Sequence, residues 1–161
     1  MTSERDKVFS PSRAARRGFL FSGLAVAGLA AFAAARWFNV GAELTENDLT
    51  APEALLAAQE GEVILVDIRR PDEWARTGVG EGAVPLDMRR PDFVLALAEL
   101  TGGDTATPVA LICARGVRSA RLARRLAEAG FTNVLDVPEG MMGSGAGPGW
   151  LARGLPVTDV E

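Results

Sequence analysis

The chain has one cysteine and no histidine, so any sulfur nucleophile it offers is Cys113. Cys113 ends the apolar run Val109-Ala110-Leu111-Ile112 and is followed by Ala114-Arg115-Gly116-Val117-Arg118-Ser119. Backbone N–H groups at a helix start lack internal partners and carry partial positive charge. Arg115 and Arg118 add two full charges beside the sulfur. That field favours the thiolate, the nucleophilic form of cysteine. Gly116 permits a tight turn. Ala114 to Ser119 therefore read as a small cationic cradle around a soft nucleophile, suited to a small oxyanion or a sulfur-carrying anion. A lone cysteine at a strand end is by default a small hydrophobe; the Arg-Gly-x-Arg-Ser that follows moves the reading to chemistry. Without histidine the ordinary general base is missing, which argues against a Ser-His or Cys-His hydrolase. A zinc site would lack its usual ligands, and one cysteine excludes an internal disulfide.

The elements that must position this loop follow from patterning. Val109 to Ile112 is a short, continuous apolar run bounded by Pro108, the pattern of a buried parallel strand. From Ser119 a helix is expected, closed by Gly130. Cys113 then lies at the C-terminal edge of a strand facing a helix N-terminus, the crevice where open α/β sheets bind ligands. Further strands are expected over 63–66, 84–86 and 133–137, with an edge strand near 42–44. Helices are expected over 51–59, with Thr50 as N-cap, and over 71–76, 91–100 and 148–153. The alternation gives an α/β fold with a mostly parallel, five-stranded sheet and helices on both faces. Ser119 reads as a helix N-cap with a second role as donor to the sulfur. Asp67, at a strand end, reads as a partner for Arg118 or for loop amides rather than as a catalytic acid. Arg69 reads as an entrance charge, and Trp74 and Trp150 as packing.

Several separate motifs, in order, resemble the rhodanese (sulfurtransferase) family. Cys113-Ala114-Arg115-Gly116-Val117-Arg118-Ser119 is similar to its active-site loop of the Cys-x-x-Gly-x-Arg-Ser type. Val63-Ile64-Leu65-Val66-Asp67-Ile68-Arg69 with Pro71-Asp72-Glu73-Trp74, then Glu81-Gly82-Ala83-Val84-Pro85-Leu86, resemble its earlier segments. Gly149-Trp150 and Gly154-Leu155-Pro156-Val157 resemble its C-terminal signature. The likeness runs from about residue 43 to 160. It implies a rhodanese-like fold and sulfur transfer through a Cys113 persulfide, from thiosulfate or a persulfide donor to a thiol or cyanide. Arg115 and Arg118 would attract the donor, the N–H groups of Ala114 to Ser119 would stabilise the persulfide, and Asp67 and Arg69 would support them. No metal or organic cofactor is implied. The alternative is a non-catalytic sulfur carrier or interaction module. Phosphatases of related fold need Cys-x5-Arg, whereas four residues separate Cys113 from Arg118, so the tighter loop excludes close approach of phosphate. The glycine-rich stretch from Glu139 to Trp150 is expected to wall the pocket, with Met141 and Met142 at its rim or filling gaps.

The N-terminal 36 residues are expected to lie outside the folded domain, which takes residues 37–161. Residues 18–35 carry no charge; they follow Arg16-Arg17 directly and begin with Gly18-Phe19-Leu20, a pattern that resembles a twin-arginine export signal. Ala31, Ala33 and Ala35 permit an A-x-A cleavage site; retained, the segment would be a membrane anchor with the arginines inside. Either outcome places the domain in the periplasm, soluble or anchored to the inner membrane. From residue 36 onward 12 basic residues stand against 19 acidic ones, so no basic face argues for nucleic acid. The expected partners are a small anionic sulfur donor and a thiol acceptor.

Overall fold

The computed structural model of the chain describes residues 27–160. Residues 27–38 are helical, and those before Phe38 form a unit of their own. No helix among the described residues is long and apolar enough to cross a membrane. The twin-arginine pattern and much of the uncharged segment lie outside the described residues.

From Phe38 onward, helices and strands alternate. α1 (Ala51–Gln59) opens on Thr50, whose hydroxyl accepts from the Glu53 N–H while Glu53 accepts from the Thr50 N–H, a reciprocal cap. Then follow β1 (Ile64–Asp67), α2 (Pro71–Thr77), β2 (Val79–Gly80), β3 (Val84–Pro85), α3 (Phe93–Leu100), β4 (Val109–Ile112), α4 (Val117–Glu128), β5 (Val134–Val137), α5 (Gly149–Ala152) and β6 (Val157–Thr158). The main sheet has the order β3-β1-β4-β5, all parallel. All four residues of β4 are buried, as befits the inner strand whose sequence is apolar throughout.

Strand alternation builds two cores. Val66, Ile68, Val109 and Leu111 face one side, where they meet Phe93 and Leu97 of α3 and Leu122 and Leu126 of α4. Leu65, Ala110 and Ile112 face the other, where they meet Ala51 and Ala54 of α1, Met141 and Trp150. Residues two apart share a face and successive ones do not. Leu122 and Leu126, four apart, form the buried stripe of α4. Each such side chain contributes about 1.5–3 kcal/mol through burial.

The sheet has four parallel strands rather than five. Residues 42–44 form no strand; instead Asp48 makes a single parallel bridge to Asp136 on the edge of β5, and the Leu49 N–H donates to the Asp136 carbonyl. The remaining strands form a separate antiparallel pair, β2 with β6. Within that pair Gly80 lies against the Trp150 ring: a Cβ at Gly80 would stand 2.7 Å from it. Trp150 Nε1 then donates to the Pro156 carbonyl at 2.8 Å. The helix expected over 91–100 starts at Phe93, the one expected over 148–153 covers only Gly149–Ala152, and α4 begins two residues before Ser119.

Candidate functional site

Register puts three strand ends side by side. Asp67 pairs with Ile112, and Ile112 with Val137. The chain leaves the sheet at Cys113, turns at Gly116 and enters α4 at Val117. Gly116 has φ 78, and a Cβ there would collide with the Pro138 carbonyl. Gly140 has φ 65, and its Cβ would lie 2.6 Å from the Ala114 carbonyl. Only glycine on both sides lets the segment after β5 lie against the loop.

The carbonyl groups of Cys113, Ala114, Arg115 and Gly116 are all engaged by protein donors. The Met141 N–H donates to Cys113 O at 2.8 Å, and the Met142 N–H to Ala114 O at 2.9 Å. Asn39 Nδ2 donates to Arg115 O at 2.8 Å. Gly116 O accepts from Ser119 Oγ and from the Ala120 N–H, both at 3.0 Å. In a trans peptide the C=O and the next N–H point in opposite directions. Each N–H of Ala114, Arg115, Gly116 and Val117 therefore points away from the donor that holds the carbonyl of its own peptide. Among the described residues none of these four has a protein acceptor. Unpaired amides of this kind are built for an anion.

Cys113 itself is deeper than an open nucleophile would be, at 1% exposed, and it packs with the first core. Ser119 Oγ stands 3.5 Å from its sulfur, while the one hydroxyl proton has its shorter contact with Gly116 O at 3.0 Å. Ser119 is not the helix cap expected of it: Gly116 takes the cap position, and Ser119 lies in the first turn, buried against the sulfur. Arg118 lies beside Cys113. Its guanidinium is held above the ordinary arginine value by Glu73 and, against the opposing effect of burial, by the neighbouring cysteine.

The partner of Arg118 is Glu73, not Asp67. Two hydrogen bonds of 2.7 Å join them in a fork. Burial acts to raise Glu73, but Arg118 and the Arg70 N–H hold it below the usual carboxylate range. Asp67 instead pairs with Arg69, which is buried and is not an entrance charge. Arg69 also donates to Thr77 Oγ1 at 2.9 Å and to the Gly78 carbonyl at 2.7 Å. This buried cluster fixes the far end of α2, the helix that carries Glu73 to Arg118. Asp67 and Arg69 thus act on the loop at one remove, touching neither Cys113 nor its amides.

Arg115 has no carboxylate partner among the described residues. Its guanidinium carbon lies 4.8 Å from the Phe38 ring centroid, and Nε is buried without a hydrogen-bond partner. The two arginines therefore differ: Arg118 is neutralised by a carboxylate, and Arg115 keeps its charge.

Behind the loop, Glu139 ties the glycine-rich segment to the fold. Its carboxylate accepts from Arg153, from the Gly149 N–H and from the Ala51 N–H. Burial pushes Glu139 up, but these donors, Arg153 first, hold it below the ordinary value. Met141 is buried in the second core and Met142 is half exposed; each contributes its backbone N–H to the loop. Trp74 and Trp150 are buried packing residues, as expected. Sequence reasoning missed Glu73, Glu139, Phe38 and Asn39 as determinants of the loop. For Glu139 the signal was a single acidic residue opening a glycine-rich stretch; for Glu73 it was an acidic residue in the first turn of a short helix.

Known proteins share this architecture. A polysulfide-sulfur transferase homodimer from Wolinella succinogenes is 27% identical, with a TM-score of 0.55 over 82% of this chain and 90% of that one. A thiosulfate sulfurtransferase from Pseudomonas aeruginosa is 26% identical, with a TM-score of 0.56 over 71% of this chain. The match spans only 20% of that longer protein. A protein of unknown function from Rhodopseudomonas palustris, described as a possible tyrosine phosphatase, is 25% identical, with a TM-score of 0.51 over 70% of this chain and 84% of that one. No curated protein matches by sequence. A family model for the rhodanese-like domain matches residues 50–144, which include β1, the Cys113 loop and most of the segment packed against it. With the parallel sheet and the loop at its edge, this match makes the chain a member of the rhodanese-like domain family.

Proposed function

We propose that the chain is a sulfurtransferase that carries sulfane sulfur on Cys113. The observation that supports this most is the engagement of four consecutive loop carbonyls by protein donors, which leaves four amides for an anion beside the only thiol. The Cys113 thiolate attacks the outer sulfur of thiosulfate. A new S–S bond forms, the old one breaks, and sulfite leaves with its electron pair. Cys113 then bears a persulfide anion, met by the N–H groups of Ala114 to Val117 and by the fixed Arg118. Cyanide or a thiolate attacks the terminal sulfur, takes it as thiocyanate or as a persulfide, and returns the thiolate. Arg115, the uncompensated cation, draws in the anionic donor. A persulfide donor other than thiosulfate fits the same steps. The likeness to a polysulfide-sulfur transferase and a thiosulfate sulfurtransferase supports the reaction class.

A second reading has one observation in its favour. The burial of Cys113 suits a sulfur carrier loaded only when a partner docks on the loop. Thiosulfate and cyanide turnover, measured beside the intact mass of the protein, separates the two. Turnover with a mass gain of one sulfur atom on Cys113 supports the enzyme. A stable adduct without turnover supports the carrier. Neither adduct nor turnover with any sulfane donor, and no change on Cys113→Ser, refutes both. The uncharged segment after Arg16-Arg17 supports export of the domain to the periplasm; the mass of protein from the native compartment reports whether the segment is retained.

A further inference from the structure

We infer that Phe38 and Asn39, just outside the family match, are positioning residues of the Cys113 loop: Asn39 orients the Arg115–Gly116 peptide, and Phe38 holds the Arg115 guanidinium. The inference rests on the sulfurtransferase reading and adds to it the part of the site that sets affinity for the anionic donor.

Four observations converge. First, Asn39 Nδ2 is the donor to Arg115 O among the described residues. Fixing that carbonyl fixes the Gly116 N–H, which lies in the same peptide plane on the opposite side. Without Asn39, one of the four anion-facing amides would be free to turn. Second, Asn39 has φ 51 and is the only non-glycine residue with positive φ among those described. Asparagine tolerates that region better than most, yet the conformation still carries a cost, and such residues cluster at functional sites. Third, the segment is anchored where it crosses the loop. The Gly145 N–H donates to Asn39 O at 2.9 Å, and the Ala42 N–H donates to the same oxygen at 3.0 Å. A Cβ at Gly145 would collide with the Val40 carbonyl, so the glycine-rich wall and the segment fit closely. Fourth, Phe38 offers Arg115 a π face rather than a carboxylate. An aromatic face attracts a guanidinium without neutralising it. Arg115 is thus held in place with its charge available, whereas Arg118 is matched by Glu73.

The test uses the full chain and the rate at which Cys113 takes up sulfur from thiosulfate, read by intact mass over a range of donor concentration. Phe38→Ala should raise the half-saturating thiosulfate concentration by about three- to tenfold, with the limiting rate changed by less than about twofold. Phe38→Trp should restore it. Asn39→Gly relieves the backbone at positive φ but removes the side chain; it should keep the melting temperature and still raise half-saturation by about threefold or more. Arg115→Gln should give the larger loss, and adding Phe38→Ala to it should cost nothing further, since both act through one guanidinium. Alkylation by uncharged iodoacetamide should change little in Phe38→Ala. The inference is overturned if wild type loads and both Phe38→Ala and Asn39→Gly show its concentration dependence. It is overturned too if the Phe38 and Arg115 effects simply add. Failure of the wild type to load sulfur would instead remove the sulfurtransferase reading, and this inference with it.

Discussion

Asp136 offers a test in which the direction of an effect reverses ordinary expectation. Its side chain projects from β5 toward α4, it is 9% exposed, and Oδ1 has no hydrogen-bond partner. Burial pushes its carboxyl up to about 6 from an ordinary 3.8; the Ser119 hydroxyl acts the other way, and the Asp48 charge adds to the rise. The fold therefore disfavours the ionised form. The penalty is full above pH 7, shrinks as pH falls through about 6, and is gone below the unfolded value of 3.8. A gap of this size corresponds to about 3 kcal/mol. A cavity of about 370 Å³ bordered by Asp48, Gly116, Ala120 and Asp136 brings water toward the carboxylate, so the measured value should be about 1–3 kcal/mol. Asp136→Asn should accordingly stabilise the protein at about pH 8 and do little at about pH 4. Urea unfolding of both forms across that range measures the difference directly. The carboxylates held low by partners, Glu73 and Glu139 among them, lose stabilisation as pH falls in both proteins and cancel in the comparison. A variant that is less stable at pH 8, or whose gain is equal at both ends, would show that Asp136 is not a buried ionised group held at a cost.

Two further substitutions probe the supports of the loop. Glu73→Gln removes the charged half of a fork whose arginine is 30% exposed; after discounting for solvent it should cost about 1–2 kcal/mol in denaturant unfolding and slow Cys113 loading. Glu73→Asp keeps the charge but not the reach, and should show the same slowing if position is what matters. Asp67→Asn leaves the Arg69 guanidinium buried without its counter-ion and should cost about 3–5 kcal/mol by the same unfolding measurement. Replacing the pair together, Asp67→Leu with Arg69→Met, should recover most of that loss; failure to do so would mean that the Thr77 and Gly78 contacts of Arg69 carry the stability.

What could be read from the chain, and what could not, divides along physical lines. β4 was legible because an inner parallel strand is buried on both faces and its residues are continuously apolar. Thr50 and Glu53 announced the start of α1 because a reciprocal cap is local, three residues apart. The placement of Cys113 followed from the end of the β4 run and from the helix expected to start after the loop. The partner of Arg118 was not legible. Asp67 and Glu73 are both acidic and both near the right strand, and only the direction of α2 decides between them. The β2–β6 pair was also hidden: two residues per strand are too few to show alternation. Residues 42–44 alternate as an edge strand would, yet the edge of β5 is taken by Asp48 and Leu49. Asn39 carried no signal in the sequence, because a left-handed residue has none beyond its type.

The way the loop is fastened bears on what it can accept. Cys113 O and Ala114 O are held by Met141 and Met142, Arg115 O by Asn39, and Gly116 O by Ser119 and Ala120. The fasteners come from Asn39, from the first turn of α4 and from the segment after β5. Consider a widening of the loop that breaks three of these bonds to seat a tetrahedral oxyanion over the sulfur. At about 1 kcal/mol each, the cost is about 3 kcal/mol before any compensating contact. A donor with a projecting terminal sulfur, thiosulfate included, need bring only that one atom to the amides, while its tetrahedral oxyanion end stays outside. The rigidity of the fastening therefore favours sulfur transfer over phosphate chemistry on energetic grounds that are separate from the spacing of Cys113 and Arg118.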